Sequence, residues 1–155
     1  MRTALLSLAL LCCAGPAAAA PGAAGIDWQH DAYDAARAAA RAADKPVVVD
    51  LWAPWCHTCL SMKHTVLADA KLAPFADRFV WVALDTDRPE NAAALKTLGI
   101  GAWPTFYVVS PTDDAVQARH VGAASLEEFV AFLEAGLAGH RAVADTAWGK
   151  AARLG

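Results

Sequence analysis

The chain reads as an α/β domain in which a central mixed β-sheet carries helices on both faces. Three observations lead there. Apolar runs of strand length, Val47 to Trp52, Phe79 to Leu84 and Thr105 to Val109, alternate with helical stretches, which implies parallel pairing through crossover helices. The turn Pro111-Thr112-Asp113-Asp114 then joins the third run to Ala115 to Val121, and a hairpin there makes the sheet mixed. Finally, 155 residues suit a single domain.

Taken in order, a Pro/Gly/Ala linker runs to about Gly25. Asp31 to Ala43 follows as the first helix. Asp31 can cap it, with Asp34 three residues on, and Ala32, Ala36, Ala39, Ala40 and Ala43 can line one face. Asp44-Lys45-Pro46 stops it, and the strand Val47 to Trp52 begins. A helix is expected from about Trp55 to Leu67, where no Gly or Pro occurs after the turn and Leu60, Lys63, Val66 and Leu67 recur at helical spacing. A short helical piece continues to Ala76. The strand Phe79 to Leu84 ends in Asp85-Thr86-Asp87-Arg88-Pro89. Glu90 to Leu98 is a helix closed by Gly99, and Trp103-Pro104 leads into the strand Thr105 to Val109. After the hairpin, Ser125 caps a last helix to about Leu137, with Glu128 completing a capping box and Leu126, Phe129, Val130, Leu133 and Leu137 as its apolar stripe. The expected order is α-β-α-β-α-β-β-α, with no internal repeat.

A net charge of −3 without a basic stripe gives nucleic-acid binding no support. Met1-Arg2-Thr3, the apolar run Ala4 to Ala14 and the small residues to Ala20 have the layout of a secretory signal. The run is about half the roughly 20 residues a membrane span needs. Pro21 disfavours a cut after Ala20 and favours one after Ala18 or Ala19; a lipid anchor on Cys12 or Cys13 is the weaker alternative. We therefore expect residues 1–20 to be a signal peptide, 21–25 a linker, 26–138 the folded domain and 139–155 a tail able to form one more helix. Export is the expected fate, to the periplasm or an equivalent compartment.

Without the signal, the four cysteines become two, Cys56 and Cys59. Constraining so short a loop stabilises little, so chemistry explains the pair better than stapling. Cys56 falls at the N-terminal end of a helix, where unpaired N–H groups and the helix dipole favour a thiolate nucleophile. Cys59 lies one turn deeper and can resolve a mixed disulfide at Cys56. Asp50 breaks an otherwise apolar strand. Burial there raises a carboxyl pKa, so Asp50 is suited to take and return the Cys59 proton.

These motifs resemble the thioredoxin superfamily. Val49-Asp50-Leu51-Trp52-Ala53-Pro54-Trp55-Cys56-His57-Thr58-Cys59 looks like its active-site strand and turn, Trp103-Pro104-Thr105 like its cis-proline loop, and Val121-Gly122-Ala123 like the segment before its last helix. Lys45-Pro46, Asp50-Leu51, Trp55-Cys56 and Met62 to Asp69 look most like the periplasmic thioredoxin-like domain of DsbD-type thiol:disulfide interchange proteins. The resemblance spans about Asp27 to Leu137. It implies a thioredoxin-like fold, a cis bond at Pro104 that frees backbone beside Cys56 for an extended substrate, and a substrate groove in which Trp103 forms a wall and Trp55 shapes access. His57-Thr58 departs from the Gly-Pro many members place between the cysteines. An imidazole beside Cys56 favours the thiolate and makes the disulfide more oxidising. A lysine some thioredoxins carry near the buried acid is missing, with Ala83 at its position.

The resulting expectation is an exported thiol:disulfide oxidoreductase with Cys56, Cys59 and Asp50 catalytic and Trp55, His57, Trp103 and Pro104 binding substrate. It would reduce, or pass electrons to, protein disulfides through the CHTC dithiol. It would need no cofactor beyond the Cys56–Cys59 disulfide and would act as a monomer fed by a membrane-bound electron donor. An oxidase or isomerase is the alternative within the class. A copper-binding protein is the alternative outside it, because Cys56, His57, Cys59, Met62 and His64 cluster within nine residues and thiolate with thioether suits Cu(I).

Overall fold

A computed structural model describes residues 24–144; the expected signal segment and the tail from 145 onward lie outside the described residues. The elements are β1 (Trp28–His30), α1 (Tyr33–Ala43), β2 (Val47–Trp52), α2 (His57–His64), β3 (Val80–Asp85), α3 (Ala92–Leu98), β4 (Thr105–Val109), β5 (Val116–Val121) and α4 (Leu126–Ala144). The sheet runs β1-β3-β2-β4-β5. β3 pairs parallel with both β1 and β2, while β4 pairs antiparallel with β2 and β5. The mixed sheet with helices on both faces is therefore as the strand pattern required.

Residue alternation along β2 divides the core. Val47, Val49 and Leu51 pack with Val82, Leu84, Tyr107 and Val109 against Tyr33, Ala36 and Ala40 of α1 and Ala94 of α3. Val48, Phe106 and Val108 face the other way, into a larger cluster with Met62 of α2 and Phe129, Phe132, Leu133 and Leu137 of α4. Aromatic edges key this second layer: Phe106 meets Phe129 at 5.1 Å between centroids, and Trp28 meets Trp81 at 5.2 Å. Among the described residues no helix is long and apolar enough to cross a membrane.

Five local features depart from the expectations. β1 carried too few residues to show an alternation, yet its pairing with β3 makes it an edge strand. Asp31 does not cap α1. It takes a left-handed conformation, φ 54°, and its Oδ1 accepts from the Asp85 N–H and the Asn91 amide, both at 2.8 Å. The stripe of α1 uses Tyr33, Ala36 and Ala40, and leaves Ala39 and Ala43 exposed. The second helix ends at His64, where Thr65 turns its N–H and hydroxyl onto the Ser61 carbonyl; Val66–Ala68 and Ala70–Arg78 continue as tighter 3₁₀ turns around Pro74. The Ser125/Glu128 capping box is present, with reciprocal bonds of 2.7 and 3.2 Å, but α4 runs beyond Leu137 to Ala144.

Candidate active site

The strand pleat decides where the one acid of β2 points. With Val47, Val49 and Leu51 facing α1 and α3, Asp50 lies on the α2 side, between Val48 and Trp52. It is 2% exposed, and its Oδ1 has no hydrogen-bond partner among the described residues. Burial pushes its carboxyl pKa from 3.8 up to about 7, against the pull of the Lys63 charge, which lowers it. Asp50 and Lys63 line one cleft of about 180 Å³, together with Trp28, His30, Leu67 and Ala83.

Beyond β2 the chain turns, with Cys56 N–H donating to the Ala53 carbonyl at 3.1 Å, and Cys56 becomes the N-cap of α2. Its Sγ accepts from the Cys59 N–H at 3.0 Å, so the sulfur occupies the place of a capping oxygen. Cys56 and Cys59 form a disulfide, with Cα atoms 5.2 Å apart. Both are buried and cluster with Ala53, Trp52 and Trp103. Each sulfur here is half of a disulfide and stands for the thiol or thiolate of the reduced protein.

The tryptophans are held from the end of β3. Trp55 donates its indole N–H to Asp87 at 2.8 Å, Trp103 donates to the Thr86 hydroxyl at 2.8 Å, and the two rings meet edge to face at 5.2 Å. Trp55 remains 56% exposed, so the pair forms an aromatic wall open to solvent. The Trp103–Pro104 bond is cis, and the Pro104 carbonyl accepts from the Gly122 N–H at 2.8 Å. His57 is exposed on the first turn of α2. Cys56, Cys59, Trp55 and Trp103 thus come together at one end of the sheet; Asp50 lies in β2, two residues before Trp52, which packs on the cysteines.

The five residues of the Cys/His/Met cluster, Cys56, His57, Cys59, Met62 and His64, do not share a surface. Met62 is buried, and its Sδ accepts from the Ala124 N–H at 3.5 Å, whereas His57 points to solvent. Among the described residues, no group of three His, Cys, Asp or Glu side chains could hold a metal ion.

Three further residues belong to the site, Lys63, Thr86 and Asp87. Lys63 belongs to the helical repeat of α2, and its spacing of four from Cys59 puts the two on one face of that helix. Asp87 and Thr86, which orient the tryptophans, carry only turn signals in the sequence, and nothing in their spacing joins them to Trp55 or Trp103.

A family profile described as thioredoxin-like matches residues 27–111. The chain belongs to the thioredoxin-like family. Its relatives include the thiol:disulfide interchange protein DsbD of Neisseria meningitidis, 30% identical over 125 residues, with 74% of this chain and 21% of DsbD covered. A thioredoxin H-type protein of Chlamydomonas reinhardtii is 32% identical, with 66% of this chain and 84% of the relative covered. The chain spans about a fifth of the length of the DsbD relatives. Among solved structures, a thioredoxin from Thermus thermophilus matches with TM-score 0.64 at 26% identity, over 80% of this chain and 92% of that one. The oxidised C-terminal domain of N. meningitidis DsbD matches with TM-score 0.57 at 28% identity, over 66% of this chain and 90% of that one. Within the thioredoxin-like family, the chain carries its cysteine pair as Cys56-His57-Thr58-Cys59, closed as a disulfide.

Proposed function

We propose that the protein reduces, or passes electrons to, protein disulfides by dithiol–disulfide exchange. The observation that carries this reading is Cys56 at the N-cap of α2, its sulfur accepting a backbone N–H and bonded to Cys59. In the reduced protein the same N–H and the helix dipole favour the Cys56 thiolate. That thiolate attacks one sulfur of a partner disulfide, forming the Cys56–partner bond and expelling the partner's other sulfur as thiolate. Asp50, ionised, accepts the Cys59 proton. The Cys59 thiolate then attacks the Cys56 sulfur, which closes the Cys56–Cys59 disulfide and releases the partner's second thiolate. Two electrons pass from the dithiol to the partner, whose thiolates take up protons. A carboxyl that titrates at about 7 is matched to that exchange near neutral pH.

The exposed Trp55 and the Trp103–Pro104 loop form the side on which an extended partner segment would lie, with His57 at the rim. We read residues 1–20 as a secretory signal and place the mature protein, as a monomer, in the periplasm or an equivalent exported compartment. A separate membrane donor would re-reduce the pair.

The test is trapping. Cys59→Ser, incubated with a disulfide-bonded protein, should accumulate a mixed disulfide through Cys56, and Cys56→Ser should give none. Equal trapping by both variants, or by neither, would remove the assigned roles.

A further inference from the structure

Lys63 stands one helical turn beyond Cys59 on α2 and forms the helix-side wall of the cleft that Asp50 floors. Its ammonium rests 3.0 Å from the centroid of the Trp52 ring, a cation–π contact that fixes where the charge sits. Small side chains line the cleft, Ala83 on β3 and Ala68 beyond α2. Ala83 is the register partner of both His30 on β1 and Asp50 on β2, so the three form a row across the sheet, and the alanine methyl leaves open the space a longer residue would fill. No ion pair within 4.0 Å joins Asp50 to Lys63 among the described residues; the two face each other across the opening. The other groups around Asp50 are His30 across the cleft on β1 and apolar Phe106, its register partner on β4. Asp31 and Asp85, at the ends of their loops, act on Lys63.

We propose that Lys63 is a positioning residue for the resolving step: held over Trp52, its charge acts across the Ala83 cleft on Asp50 and governs when that carboxylate can accept the Cys59 proton. This rests on the reading of Asp50 as the base. A cation facing a dry carboxylate favours the ionised form, because little solvent intervenes to screen it. Burial lowers the Lys63 pKa, and the nearby carboxylates oppose that shift, Asp50 foremost. Lysine and acid thereby sustain each other's charge.

Lys63→Met and Lys63→Gln remove the charge while keeping a long side chain; Lys63→Arg keeps the charge. In reduced protein labelled with ¹³C at the aspartate carboxyls, with Asp50→Asn identifying the resonance, the Asp50 midpoint should move to higher pH in the Met and Gln variants. It should return towards the wild-type value in the Arg variant. The rate at which a Cys56 mixed disulfide resolves should show the same alkaline shift, while the first attack by Cys56 is unchanged. An unmoved midpoint in a folded Met or Gln variant, with Asp50→Asn still slow to resolve, would overturn the role of Lys63 alone. An equal shift in the Arg variant would also overturn it, assigning the effect to lost packing on Trp52. Asp50→Asn resolving as fast as the wild type would instead overturn the reading of Asp50 as the base.

Discussion

A carboxyl group in a central strand must be neutral, paired or costly, because solvent that would stabilise its charge is excluded. Asp50, with one oxygen unpartnered among the described residues, sits in that position, and the cost has a direction that can be measured. Its ordinary pKa is 3.8, and folding raises it to about 7. Between those values the native state holds a proton the unfolded chain has lost, so stability is complete below 3.8 and declines as pH rises through about 7. The span corresponds to roughly 4 kcal/mol at about 1.4 kcal/mol per pH unit. Asp50→Asn, which cannot ionise, should abolish that decline. Urea unfolding of the oxidised proteins should show near-equal stability at pH 4 and an advantage of roughly 2–4 kcal/mol for the variant at pH 8. Parallel pH profiles for the two proteins would mean that Asp50 does not carry this cost.

At the scale of elements, α4 lies so close to β4 that one position has no room for a side chain. A Cβ on Gly136 would meet Val108 at 2.5 Å, with two further Val108 atoms at 2.7 Å. Glycine inside a helix ordinarily costs about 1 kcal/mol relative to alanine, so Gly136→Ala would be stabilising on an isolated helix. Overpacking a filled core costs roughly 1–3 kcal/mol, and here the neighbour is a β-branched residue with no rotamer to retreat into. We expect the packing effect to win. Thermal unfolding of Gly136→Ala should give a lower Tm than wild type, and an unchanged or higher Tm would show that α4 can move off the sheet. The capping box of α4 was legible because local backbone chemistry decides it. That Gly136 is a contact point was not legible, since no local pattern shows which residue of β4 lies beneath it.

At the scale of the molecule, the sheet gathers loops at one end. β2 and β3 run parallel and finish there, and antiparallel β4 begins there, which brings Cys56, the Thr86–Asp87 loop and Pro104 together. Asp31 ties the end of β1 to the end of β3 through Asp85 and Asn91, with Arg88 pairing at 3.2 Å. Which way electrons flow through this assembly is a property of the whole redox pair and its surroundings. Equilibrated against thioredoxin and glutathione, the Cys56–Cys59 couple should poise near roughly −270 mV if the protein is a reductase. A value of roughly −120 to −180 mV would place it with oxidases and isomerases and assign the dominant influence to His57.

The sequence alone determined the layered α/β architecture, the cysteine pair at a helix start, the buried acid and the proline loop. Each is written in short-range signals: strand-length apolar runs, helix stops, turn residues, and one polar residue inside an apolar strand. Only the tertiary structure decided that three residues of β1 form an edge strand, that Asp31 binds the β3 loop and not its own helix, and that Lys63 faces Asp50 across Ala83. Those outcomes depend on sheet register and on which faces are pressed together, and such contacts between distant segments leave no spacing along the chain from which to read them.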